Sequence, residues 1–217
     1  MATATSTGDG ARRARSTAAD TRERILDAAN QVMGTLGLAR TTTKQIASAA
    51  GYSEATLYKH FSDKTELFLA VLGERLPALV ELLTRLPDQA GQGEVAQRLE
   101  QVTNQALRFY QRGFPMLASL FAEPALLGRH RQALAAVGAG PHQANQLLAA
   151  YLRAERDLGR IDPSLDPDAG AAMLLGACLQ RAFLSAFSGQ PIPAAERARF
   201  AASLVTSLLS RRAEPGR

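Results

Sequence analysis

Three lysines, Lys44, Lys59 and Lys64, fall within 21 residues of a chain whose remaining cations are all arginine. Among them stand Thr43, Tyr52, Ser53, Ala55, Thr56, Tyr58 and His60. Ammonium groups, hydroxyls and phenols at this density suit a nucleic acid. Lysine reaches a phosphate or a guanine edge, threonine and alanine methyls meet the thymine methyl, and a tyrosine hydroxyl holds a phosphate. The net charge of +5 permits such a partner.

Other chemistries find no constellation here. Cys178 sits in an apolar run, where a thiol is buried and inert. His60, His130 and His142 lack the spacing of metal ligands. Asp162, Asp166 and Asp168 lack the glycine and distal glutamate of a calcium loop. No glycine-rich phosphate loop follows a strand. The expectation is a protein that is not an enzyme and carries no metal or cofactor.

The elements that position the basic window are helices. Apolar periodicity is helical throughout, which gives an all-α class. Asp20, with Glu23 as a box partner, caps a first helix whose stripe is Ile25, Leu26, Ala29, Val32, Met33 and Leu36, and Gly37 stops it. Thr42 opens a second, short helix with Gln45 as its box partner. Ile46, Ala47 and Ala50 face inward, and Gly51 ends it. Only Tyr52 intervenes before Ser53, a good cap for a third helix from Glu54 to about Phe61. Ser62 then caps a fourth helix, which Pro77 ends or kinks.

Two short helices joined by so tight a glycine turn are a helix-turn-helix. With about 100° per residue, Leu57 and Phe61 share the inward face of the third helix. Ala55 and Lys59 then point outward, flanked by Thr56 and Tyr58, with His60 nearer the core edge. Lys44 and Lys64 lie in the first turns of their helices, against the dipole. That placement makes sense where the helix end faces an anion.

The run Thr41–Ala47, then Ala50–Phe61, then Asp63–Leu67 resembles the DNA-binding head of TetR-family repressors. The likeness covers about Asp20 to Leu72. Its most specific part is Thr56-Leu57-Tyr58, Phe61 and Lys64. Ala55 stands where the family often has glycine or proline, and Tyr52 where valine is usual. The resemblance implies that Thr43 and Lys44 touch the DNA backbone, with Lys44 reaching toward a base. It implies that Tyr52, Ser53 and Thr56 approach the groove and that Tyr58, His60 and Lys64 hold phosphates. Lys59 would sit over bases or backbone. The Arg12, Arg13 and Arg15 segment reads as a disordered basic tail over residues 1–19, of a kind that can enter a minor groove.

The punctuated stretch Pro87–Gly93 reads as a domain boundary. It separates a helix-turn-helix domain at 20–80, with its motif at about 43–62, from a helical effector-binding and dimerisation domain at 88–213. Helical segments in the second part are Val95–Gln111, Met116–Phe121, Pro124–Val137, Gln143–Leu158, Pro167–Ser188 and Pro193–Arg212. The fifth of these is apolar nearly all round, so it needs cover on every side. In the family the last two helices pair with a partner's, which implies a homodimer on an inverted-repeat operator. Candidates to line a pocket for a small apolar ligand are Phe109, Tyr110, Phe114, Met116, Phe121, Tyr151, Met173 and Phe183. An aromatic or methionine stripe at helical spacing is more often core than pocket, and both roles stay open for these residues.

No apolar run of membrane-spanning length stands out, and no secretory signal. One cysteine excludes an intrachain disulfide framework and fits a reducing, cytoplasmic setting. The reading is a DNA-binding regulator, a repressor released by a small apolar ligand and associated with the nucleoid when bound. Two alternatives stand beside it: a regulator without an effector, and a helical ligand-binding scaffold that does not bind DNA.

Overall fold

The computed structural model describes residues 7–75, 78–136 and 138–210, with side chains from residue 18 onward and from 79 after the second gap. Ten α-helices and no strand occur among the described residues. They are α1 (Thr7–Arg40), α2 (Thr43–Ala50), α3 (Glu54–Tyr58), α4 (Lys64–Glu74) and α5 (Ala78–Arg85), then α6 (Val95–Ala122), α7 (Pro124–Ala136), α8 (Pro141–Asp157), α9 (Pro167–Ser188) and α10 (Ala194–Leu209). A short 3-10 turn, Pro87–Gln89, follows α5.

Two compact units divide the chain. One, the head, comprises Met1–Arg75 with Pro115–Leu126, and the other, the body, Leu76–Phe114 with Leu127–Arg217. The division corrects the expected boundary at Pro87–Gly93. That stretch lies inside the body because Leu79, Leu83 and Leu86 bury into the body core just before it. Helix α5, which the sequence reading did not assign, is therefore a body element. Pro115 likewise fails to break α6. An internal proline costs about 3 kcal/mol, but Met116 and Leu120 bury fully on the next turn and the Ser119 hydroxyl donates to the Pro115 carbonyl.

In the head, Ile25, Leu26, Ala29 and Met33 of α1 pack with Ile46 of α2, Leu57 of α3 and Leu67, Phe68 and Val71 of α4. Helix α1 begins at Thr7, so Asp20 is an interior residue and not its cap. Residues 7–19, expected as a disordered tail, have a helical backbone. Ala11, Ala14, Ala18 and Ala19 favour that state and no proline interrupts it. The side chains of Arg12, Arg13 and Arg15 lie outside the described residues. The regular helix ends where expected. Gly37 takes φ 72°, ψ 169°, a conformation open almost only to glycine. The freed Leu38 N–H donates to Ser119 Oγ at 3.0 Å, and Thr41 Oγ1 donates to the Gly37 carbonyl at 2.7 Å.

In the body, α9 packs along α8, and Gly170, Ala171, Leu174, Leu175, Cys178 and Ala182 are among its buried residues. Asp166 caps α9 by accepting from Ala169 N–H at 2.8 Å, and Pro167 follows at the first position, as read from the sequence. A buried polar cluster ties down the stretch after the 3-10 turn. Glu155, fully buried, accepts from Gly91 N–H at 3.1 Å and lies 3.4 Å from Arg160 Nη1. Arg160 also donates to the Gly93 carbonyl, and Arg98 to Gln89. Burial, with the Glu155 carboxylate beside it, pushes the Tyr151 phenol above its usual range.

Helix α9 is long and apolar enough to cross a bilayer, with a third of that window buried in the fold.

Candidate nucleic-acid interface

Local sequence builds the helix-turn-helix. Thr42 caps α2, its Oγ1 accepting from Gln45 N–H at 3.2 Å while Gln45 Oε1 accepts from Thr42 N–H at 2.9 Å. Gly51, at φ 77°, ends α2 in the left-handed region. Its N–H donates to Ser48 O at 3.1 Å and that of Tyr52 to Ala47 O at 2.9 Å. These paired bonds fix the direction of the turn. Ser53 then caps α3 by accepting from Thr56 N–H.

Helix α3 is shorter than expected, ending at Tyr58, with Lys59 as its C-cap. Turn bonds carry the coil onward: Lys59 N–H to Thr56 O, and His60 and Phe61 N–H to Leu57 O. The inward and outward faces survive that shortening. Leu57 and Phe61 are buried, each contributing about 1.5–3 kcal/mol of burial. Ser53, Ala55, Tyr58 and Lys59 are exposed, and Thr56 and His60 are half-buried. Lys44 is exposed in the first turn of α2, and Lys64 half-buried in that of α4. The cap of α4 is Asp63, one residue later than expected. Asp63 Oδ1 accepts from Glu66 N–H at 2.7 Å, while Glu66 accepts from both Ser62 N–H and Oγ. A carboxylate accepts more strongly than a hydroxyl, and this moves the cap.

Four side chains make internal contacts that were not legible in the sequence. Thr43 donates its hydroxyl to Glu54 and lies 3.3 Å from Tyr58 Oη, so it clasps α2 to α3. Its hydroxyl, expected on the DNA backbone, has partners within the head. Arg24 of α1 lies over the Tyr52 ring and donates to its hydroxyl at 3.3 Å. Arg22 lies over the Phe61 ring, 5.3 Å from its centroid, and makes two hydrogen bonds to Glu74. That guanidinium holds the Glu74 carboxyl below its usual range. Arg75 ties α4 back to Glu23 and Asp27 of α1. The outcome is a small head with Ala55, Thr56, Tyr58 and Lys59 on the outward side of a braced helix.

Ring contacts join two pairs of the eight pocket candidates. Phe109 and Tyr110 pack edge to face, 5.3 Å apart and half-buried, and burial raises the Tyr110 phenol. Phe114 meets Phe183 at 5.8 Å, and Phe183 meets Phe187 at 6.0 Å. Tyr151 is fully buried beside Glu155, whereas Met173 is 62% exposed. Met116, buried, and Phe121, 69% exposed, group with the head. Cys178 is buried, its thiol pushed up to about 12 by burial, consistent with an inert group.

Known proteins share this architecture. Residues 25–71 match the model of the tetR family of bacterial regulatory proteins. YvkB, an uncharacterized HTH-type transcriptional regulator of Bacillus subtilis (strain 168), is 30% identical over 141 residues, 65% of this chain and 70% of its own length. A structure assigned to a TetR-family regulator of Mesorhizobium loti superposes with a TM-score of 0.69 at 22% identity, covering 88% of this chain and 96% of that one. SmeT, the repressor of the Stenotrophomonas maltophilia efflux pump SmeDEF, is 25% identical in its complex with triclosan. That match has a TM-score of 0.63 and covers 89% of this chain and 93% of SmeT. With a braced helix-turn-helix, the family match and a relative matched over 70% of its length in agreement, the chain belongs to the tetR family of bacterial regulatory proteins and is a DNA-binding transcriptional regulator.

Proposed function

We propose that two copies of this chain pair through α9 and α10 and act in the cytoplasm as a repressor at an inverted-repeat operator, released by a small apolar ligand held in the body. The observation that carries this reading is the outer face of α9. Met173, Leu179, Phe183, Leu184 and Phe187 are exposed on it, Phe187 at 82%. So many large apolar side chains on one helix mark an interaction surface. A second copy is the partner of matching chemistry, because an isologous contact meets this face with itself. Arg181 pairs with Glu196 and sets α10 beside α9, so the two helices present one surface. Twofold pairing places two α3 helices on one duplex, which calls for half-sites related by inversion.

Release by a ligand is supported by the half-buried aromatics of the body and by SmeT's capture of triclosan. A ligand shifts the equilibrium only by its difference in affinity for the two states.

Sedimentation equilibrium tests the pairing. The wild type is expected to run as a dimer and Phe187→Glu as a monomer with intact helicity. A monomeric wild type, or partition of the folded chain into lipid vesicles, overturns the pairing through α9. For release, triclosan and other small apolar compounds are titrated into the DNA complex. Loss of the complex together with a raised Tm of the free protein supports the reading, and no response from either removes the ligand part.

A further inference from the structure

Arginines at the rim of the head differ in what neutralises them. Arg22 is bound to Glu74, and Arg75 to Glu23 and Asp27. Arg24 is exposed and has no carboxylate within ion-pair distance among the described residues. Its partner is a phenol. Nη1 donates to Tyr52 Oη at 3.3 Å, and the guanidinium carbon lies 5.2 Å from the ring centroid. A ring attracts a cation without cancelling its charge. Tyr52 is itself fixed, by its N–H on Ala47 O, and the next residue, Ser53, caps α3. A full positive charge is thus held one side chain away from the start of the groove-facing helix. The planar fork, with donors to spare, matches a phosphate.

We propose that Arg24 is a DNA-contacting residue that takes a backbone phosphate beside the groove entered by α3, with Tyr52 as the rest that orients it. The assignment builds on the reading that α3 docks in a major groove. Tyr52 accordingly acts on DNA through Arg24 as well as through its own edge. Because a phosphate carries no sequence information, Arg24 contributes to affinity on any duplex and leaves base preference to α3.

The test uses the full chain, a selected duplex of about 30 base pairs and a scrambled one, with anisotropy read across about 50–200 mM salt. Arg24→Gln keeps a donor for Tyr52 and removes the charge. It is expected to weaken both duplexes equally, roughly five- to tenfold near 0.1 M salt, and to flatten the slope of log K against log salt by about 0.9. Arg24→Lys should keep the slope, and Tyr52→Phe should keep it with a smaller loss. An unchanged slope in Arg24→Gln overturns the assignment, and any affinity loss then makes Arg24 a positioning residue for Tyr52. Lys59→Ala, read in parallel, separates the two claims. Lost base preference there with an unchanged Arg24→Gln slope rejects Arg24 alone, whereas no effect of either rejects the groove reading with it.

Discussion

Arg22 on α1 and Glu74 at the end of α4 meet through two hydrogen bonds, of 2.8 and 2.6 Å, across 52 residues of sequence. The same guanidinium covers Phe61, the inward anchor that follows α3. One side chain therefore links the outer helices of the head to the coil that follows α3. Double pairing of this planar kind fixes orientation as well as adding energy.

A pH dependence follows, and its sign is set by Glu74. The Arg22 bond holds its carboxyl below the usual value, so its contribution is present above the unfolded pKa and lost as pH falls through the folded one. Both partners are more than a third exposed or close to it, so the gain is modest, about 0.5–1 kcal/mol. The Tm of Glu74→Gln should lie below that of the wild type near neutral pH, and the gap should close below about pH 4. A gap independent of pH contradicts this account of the pair.

Gly37 offers a backbone test. Its φ of 72° with ψ of 169° excludes a Cβ at low cost, and an added Cβ would lie 3.2 Å from Ser119 Oγ. Gly37→Ala should destabilise the protein by about 1–3 kcal/mol in urea unfolding. Gly34→Ala, where a Cβ meets nothing within 4 Å, should be neutral or stabilising. Equal effects of the two would mean that α1 does not turn at Gly37 in solution.

The buried cluster of the body predicts an asymmetry between two substitutions. Glu155→Ala leaves Arg160 without its carboxylate and Gly91 N–H without an acceptor, at a cost of about 3 kcal/mol. Glu155→Gln keeps the acceptor and should lose less. Amide exchange at Gly91 should quicken in the alanine variant well before global unfolding, and protection equal to wild type would show that Glu155 does not hold this stretch.

What the sequence made legible was local. The Thr42–Gln45 box, the Asp166–Pro167 start of α9, and the inward Leu57 and Phe61 all depend on neighbours within four residues. The bracing pairs Arg24–Tyr52, Arg22–Glu74 and Thr43–Glu54 depend on tertiary distance, and no local pattern announces them. The domain boundary was misplaced for a related reason. Pro87, Gly91 and Gly93 look like a linker, but Glu155, more than sixty positions later, binds that backbone into the body. The segments Val95–Gln111 and Met116–Phe121, expected as separate, form one helix, because burial of Met116 and Leu120 carries α6 through Pro115.

The central claim is that α3 offers Ala55, Thr56, Tyr58 and Lys59 to a major groove. Affinities of the wild type, Thr56→Ala, Lys59→Ala and Lys64→Ala should be measured against a selected operator and its single-base variants. Thr56 and Lys59 variants are expected to lose about 1–3 kcal/mol of discrimination at particular base pairs. Lys64→Ala should weaken every duplex alike and flatten the salt slope by about one counterion. If all three variants fall equally on every sequence, helix α3 does not read bases and the account of this head is wrong.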